Sequence, residues 1–257
     1  MKKIICLLLS LTLLCGAALA EAEAPVELTV FAAASLTETL TEIAEQYKAV
    51  APNVTLVFSF DSSGTLKTQI EEGAPCDLFL SAAQKQMNQL EELGMIQSDS
   101  RVDLLENQVV LAVPDGNPKG IQSFADIADA ELIALGNEDV PVGAYSIEIL
   151  THFDLLDALT AEGRITYGSN VKEVTTQIAE ASVDCGIIYA TDAASAQLTI
   201  VDAATADMCS QVIYPAAVLA NSANADAAQV FLDYLTTPEA AQVFERVGFS
   251  MVQAEAE

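Results

Sequence analysis

The 257-residue chain sets 37 acidic residues against 10 basic ones and a single histidine, a formal charge of −27. A surface so acidic repels nucleic acid and anionic lipid, which excludes polyanion binding as its main work. Its hydrophobic share of 52% with no tryptophan supplies core for two modest α/β domains or one large one.

Met1-Lys2-Lys3 leads into an apolar run from Ile4 to Leu14 and then small residues ending Ala18-Leu19-Ala20. A charged start, a short apolar core and an A-x-A end mark a secretory signal over residues 1–20, with cleavage after Ala20. The run is short for a membrane span. Cys15-Gly16 leaves a lipid anchor as the alternative, although bulky Leu13-Leu14 stand where a lipoprotein signal takes a small residue. The expected product is exported, periplasmic or at the cell surface. Removing Lys2 and Lys3 leaves 8 basic against 37 acidic residues, a charge of −29. Three cysteines then remain, Cys76, Cys185 and Cys209. A Cys185–Cys209 disulfide with one free thiol and three buried unpaired thiols are both open readings. Their spacing fits no zinc pattern.

Strand Val26–Phe31 runs into a helix reaching about Val50, with Leu36, Leu40, Ile43 and Tyr47 at helical spacing. Strand Val54–Phe60 feeds a second helix from Gly64 to about Glu72. Strand Asp77–Ser81 precedes a third helix that stops near Leu93 at Gly94. Val109–Val113 is the next strand, closed by Pro114 and the turn Asp115–Pro118. A second alternating set follows: Leu132–Leu135, a helix near Tyr145–Leu150, a helix at Val174–Ala181 and strand Gly186–Tyr189. The last third holds strand Val212–Leu219, helix Ala225–Leu235 and a closing helix, capped by Thr237, begun by Pro238 and ended at Gly248. Such alternation predicts α/β architecture with mostly parallel sheets flanked by helices. No glycine–serine linker separates the two sets, so the domains are joined by crossing strands, with the ligand in the crevice at the strands' carboxyl ends.

Two junctions stand out. Phe31-Ala32-Ala33-Ala34-Ser35-Leu36 and Phe60-Asp61-Ser62-Ser63-Gly64-Thr65-Leu66 each pass from strand to helix through small residues with serine at the helix mouth. Free N–H groups and hydroxyls there suit an anion, each charge-assisted bond being worth roughly 1.5–3 kcal/mol net. Ser35 with Glu38 also reads as a capping box, and Ser62 or Ser63 as an ordinary cap. Val140-Pro141-Val142-Gly143, Ser169-Asn170-Val171 and Tyr189, at the end of Gly186–Tyr189, add loop-to-helix starts and one strand-end hydroxyl. Asp61 is expected to turn to its loop or to solvent and help cap the following helix.

These segments, with Gly73-Ala74-Pro75-Cys76-Asp77-Leu78-Phe79, Gly186-Ile187-Ile188-Tyr189-Ala190-Thr191-Asp192-Ala193 and Pro238-Glu239-Ala240-Ala241-Gln242-Val243-Phe244, resemble the periplasmic molybdate-binding proteins of ABC importers, in order and over nearly all of residues 26–250. The resemblance implies a two-lobed type II periplasmic binding protein that closes on its ligand by hinge motion. Lobe I would be residues 21–106 plus 216–257, and lobe II residues 107–215. It further implies a monomer without cofactor or cationic metal, which captures molybdate, and tungstate with it, for a membrane permease. The oxyanion-binding residues carried over are Ser35, Ser63 and Tyr189 through hydroxyls, and Val142 and Val171 through backbone N–H groups, with no lysine or arginine.

Rival readings are a binder of another tetrahedral oxyanion, tungstate-selective or for sulfate, and an enzyme. Catalysis has little to work with: His152 is the sole histidine, and no G-x-S-x-G elbow, P-loop or H-E-x-x-H occurs. A ferric-ion binder would need clustered tyrosine or histidine ligands, and only Tyr189 lies at a suitable place.

Overall fold

The computed structural model describes residues 24–253. The expected signal segment and lipid-anchor cysteine lie outside them. The strands are β1 (Val26–Ala33), β2 (Val54–Asp61), β3 (Leu78–Leu80), β4 (Val102–Asn107), β5 (Val109–Val113), β6 (Ile133–Gly136), β7 (Ile165–Gly168), β8 (Cys185–Tyr189), β9 (Thr199–Ala203), β10 (Val212–Val218) and β11 (Ser250–Met251). The α-helices are α1 (Thr37–Tyr47), α2 (Ser63–Glu71), α3 (Gln84–Glu92), α4 (Pro141–His152), α5 (Leu156–Ala161), α6 (Val171–Ala179), α7 (Ala190–Ser195), α8 (Ala225–Leu235) and α9 (Pro238–Arg246).

Two sheets result. The first runs β11-β4-β10-β3-β1-β2 and the second β7-β6-β8-β5-β9. Both are mixed, which corrects the expectation of mostly parallel sheets. The β1–β2, β1–β3, β6–β7 and β6–β8 pairs are parallel, as helical crossovers require, while β10 and β5 pair antiparallel to their neighbours. The antiparallel strands are those beside the two crossings between sheets. The chain leaves the first sheet between Asn107 and Val109 and returns between Ala203 and Val212. Strand β10 pairs along its length with β4 and β3, so residues 212–215 stand with the first sheet.

The parallel strands are apolar because helices cover both faces. Leu28, Val30, Leu78 and Leu80 of the first sheet, and Leu111, Ile133, Ile187 and Ile188 of the second, are almost wholly buried. Helix starts follow local chemistry. Ser62 Oγ accepts from Thr65 N–H at the mouth of α2, Asn170 Oδ1 from Glu173 N–H at α6, and Thr237 Oγ1 from Ala240 N–H at α9. Pro141 opens α4, where its missing N–H costs nothing.

Candidate functional site

The mouths of α2, α4 and α6 converge with the end of β1 and the end of β8. Ala33, Ala34, Ser35, Asp61, Ser62, Ser63, Ala82, Val140, Pro141, Val171 and Tyr189 line one small buried pocket, about 10 Å³ for the centres of water-sized spheres. That is room for about one water molecule in this arrangement of the walls, and sugars and peptides need hundreds of Å³. A groove of about 550 Å³ lies elsewhere, behind the crossings at Glu106–Val109 and Ala204–Val212.

Ser63 and Ser62 divide the labour. Ser62 is the cap, its hydroxyl taken up by Thr65 N–H at 3.1 Å and Thr65 Oγ1 at 2.8 Å. Ser63 Oγ instead accepts the N–H of Ala82 at 2.9 Å, and the residue is fully buried. A backbone N–H can only donate, so the Ser63 proton is free for a guest. Ser35 forms no capping box, contrary to one reading of the sequence. It sits in a 3-10 turn, Ala34–Leu36, its Oγ lies 2.9 Å from the Tyr214 hydroxyl, and α1 starts only at Thr37. Glu38 is drawn away to Lys172, which removes the other half of the box.

Val142 does not line the pocket with its side chain; Val140 and Pro141 do. Its backbone is nonetheless well placed. Pro141 has no N–H, and Gly143 N–H is spent on Val140 O at 2.8 Å. The Val142 N–H lies between them and makes no hydrogen bond among the described residues. Ser63 N–H at α2 and Val171 N–H at α6 are likewise free at the first helical residue, where the macrodipole favours negative charge.

Tyr189 is the most telling member. It is 1% exposed, and its hydroxyl is buried with no hydrogen-bond partner among the described residues. Burial first, then neighbouring Tyr214, pushes its pKa well above the ordinary tyrosine value, so it stays a neutral donor. An unpartnered buried hydroxyl costs about 1–3 kcal/mol; a guest accepting its proton removes that cost.

Three contacts hold the two lobes together around the pocket. Gly64 N–H donates to Asp139 O at 3.0 Å, and a Cβ at Gly64 would stand 2.4 Å from that oxygen. The glycine is thus required by the opposite lobe's backbone. Asp61, expected to face loop or solvent, lines the pocket; its Oδ1 accepts from Ser62 N–H at 2.7 Å and from Asn170 Nδ2 at 3.4 Å. Lys172 reaches Glu38 across the cleft at 2.8 Å and Asp192 at 3.1 Å. Asp192 is fully buried, and that burial raises its pKa to about 6 although Lys172 pulls it down. For Lys172, burial pulls downward and Asp192 and Glu38 more than offset it, leaving the ammonium charged but occupied. Tyr214, Asp139, Asn170 and Lys172 escaped the sequence reading as site residues; only Asn170, as a helix cap beside Val171, carried a local signal.

The cysteines resolve to the unpaired reading. Cys76 and Cys185 are buried and Cys209 half-buried, all as free thiols, so the Cys185–Cys209 bridge does not form. His152 ends α4 with its ring 4.0 Å from Asp207, away from the pocket.

Residues 28–250 match the family described as bacterial extracellular solute-binding proteins. The chain belongs to that family. As a solute-binding protein it is exported and non-catalytic. It is 36% identical over 237 residues to the molybdate-binding protein ModA of Haemophilus influenzae, covering 88% of this chain and 91% of the relative. Identity to ModA of Escherichia coli is 35% over 233 residues, 88% and 89% of the two chains. Among solved structures, the periplasmic molybdate-binding protein of Azotobacter vinelandii superposes with a TM-score of 0.79 at 26% identity, over 88% of this chain and 100% of that one.

Proposed function

We propose that this solute-binding protein captures molybdate, and tungstate with it, outside the cytoplasm and passes it as a monomer to the membrane permease of an ABC importer. The anion is held by the hydroxyls of Ser35, Ser63 and Tyr189 and the N–H groups of Val142 and Val171, between lobes carrying the two sheets. The observation that carries this reading is the buried Tyr189 hydroxyl, without a hydrogen-bond partner among the described residues, in a pocket otherwise walled by helix mouths. No lysine or arginine lines it. Neutral donors suit a protein of formal charge −27, because helix dipoles and hydrogen bonds act at contact range while long-range charge is screened. The relatives named ModA supply the choice of molybdate among tetrahedral oxyanions.

Calorimetry with molybdate, tungstate, sulfate and phosphate tests the proposal. One-to-one binding of molybdate and tungstate at micromolar or tighter Kd, about 8 kcal/mol or more, with sulfate and phosphate far weaker, is expected. Tight sulfate or phosphate binding with no molybdate heat overturns it.

A further inference from the structure

Four hydrogen bonds behind Ser35 determine which way its proton points; their meaning rests on the oxyanion reading above. Gln108 N–H, a donor only, bonds Asn107 Oδ1 at 2.8 Å. That fixes the amide's orientation, so Asn107 Nδ2 must supply the other side. Its two protons go to Thr191 Oγ1 at 2.9 Å and to the Tyr214 hydroxyl at 3.2 Å. An amide nitrogen cannot accept, so the Tyr214 oxygen accepts there. Burial, foremost, holds the Tyr214 pKa well above the ordinary value, so its proton stays on and needs an acceptor. Among the described residues that acceptor is Ser35 Oγ, at 2.9 Å. Ser35 therefore accepts from behind, and its own proton is left for the pocket that it lines.

We propose that Asn107 and Tyr214 are positioning residues that hold Ser35 as a hydrogen-bond donor, and so make the site prefer fully deprotonated tetrahedral oxyanions over those still carrying a proton, such as hydrogen phosphate. A hydroxyl free to rotate accepts a guest's proton as readily as it donates one. A hydroxyl already accepting from Tyr214 is biased to donate, so the O–H of hydrogen phosphate finds no acceptor at Ser35; the Asp61 carboxylate that also lines the pocket is the same in every protein compared, so a change in the molybdate-to-phosphate ratio reads Ser35. Ser63, held by Ala82 N–H, is biased in the same sense. Asn107 ends the strand before the first crossing and Tyr214 lies in the strand after the second, so the wiring sits where the two lobes join.

The test is calorimetry at about pH 7.5 with molybdate and sulfate, and phosphate titrated in competition with molybdate, on the wild-type protein, Tyr214→Phe and Asn107→Asp. Tyr214→Phe keeps the ring against Tyr189 and Phe249 and removes only the hydroxyl. Molybdate and sulfate binding should each weaken about tenfold, a typical loss for one hydrogen bond, while hydrogen phosphate is unchanged or gains. Asn107→Asp still accepts from Gln108 N–H but cannot donate to Tyr214, which reverses the wire. Its added charge repels all dianions alike, so the molybdate-to-phosphate ratio isolates the wiring, and this ratio should again fall about tenfold or more. Equal losses for all three anions, or an unchanged ratio in variants with native melting curves, overturn the inference. Should Tyr214→Phe fail to fold, the Asn107→Asp ratio decides. A wild-type protein that binds no tetrahedral oxyanion defeats the functional reading instead, which keeps the two failures apart.

Discussion

The two lobes meet the same pocket with different chemistry. The first brings side-chain hydroxyls, Ser35 and Ser63, each with its oxygen engaged from behind by Tyr214 or Ala82 N–H. The second brings peptide N–H groups at Val142 and Val171, with Tyr189 as its single hydroxyl. The contrast shows that a donor can be selected by residue type on one side of a site and by backbone position on the other. At α4 the decisive residue is Pro141, which has no N–H and leaves Val142 as the first donor of the helix. Mutations should therefore act through side chains in the first lobe and through backbone placement in the second.

The largest effect should come from forcing the lobes apart. Gly64→Ala puts a methyl 2.4 Å from the Asp139 carbonyl, a distance Cβ atoms do not tolerate against backbone. Molybdate affinity should fall by about a hundredfold or more, as pocket donors from the two lobes no longer converge. Helix α2 itself gains from alanine, by roughly 0.5–1 kcal/mol, so the unliganded melting temperature should hold. Unchanged affinity in calorimetry would show that closure does not require the Gly64–Asp139 contact.

Next in size is the serine pair at α2. Ser63→Ala removes a donor from the pocket and strands Ala82 N–H, so binding should weaken about ten- to a hundredfold with a stability loss of about 1–3 kcal/mol. Ser62→Ala removes the cap, costing about 1 kcal/mol of stability and leaving affinity within about twofold. The two variants separate ligand-holding from capping; equal effects on binding would merge them again.

The last effect falls on stability alone and concerns the bridging ions. Asp192 has a folded pKa of about 6 against the ordinary 3.8. Between those values the folded protein takes up a proton that the unfolded chain does not, so this group's contribution to stability rises as pH falls from 6 towards 4. Above pH 6 the buried charge is carried at full cost. Asp192→Asn removes that slope, and the wild type should gain on the variant by about 2 kcal/mol between pH 7.5 and 4. Urea melts at a series of pH values check this; a constant gap between the two proteins would deny Asp192 its raised pKa.

Much of this was legible beforehand, for definable reasons. Strands β1, β2 and β10 and helices α1, α8 and α9 announce themselves by apolar periodicity and by caps such as Thr237-Pro238. Strands β4, β9 and β11 escaped because they are short or half-exposed and carry Asp103, Glu106 or Asp202 within an apolar pattern. Ser35 and Ser63 were visible as small polar residues at strand ends. Tyr214 was not, since within Val212-Ile213-Tyr214 it looks like one more packed side chain. Nor was the Lys172–Glu38 contact, whose partners are 134 residues apart and share no local pattern. The capping box at Ser35 failed for the same reason: a distant lysine outcompeted the local backbone for Glu38.

If the protein delivers an oxyanion to a permease as proposed, the stranded hydroxyl of Tyr189 also bears on traffic at the transporter. In a shut, unladen molecule this buried hydroxyl would stay unpaired, a penalty of roughly 1–3 kcal/mol, whereas in an opened one solvent would satisfy it. The same penalty disappears when an oxyanion takes the proton. Shut molecules would thereby be enriched in loaded ones by about five- to 150-fold, so a receptor that recognises only the shut outline would turn most unladen carriers away without ever touching the cargo.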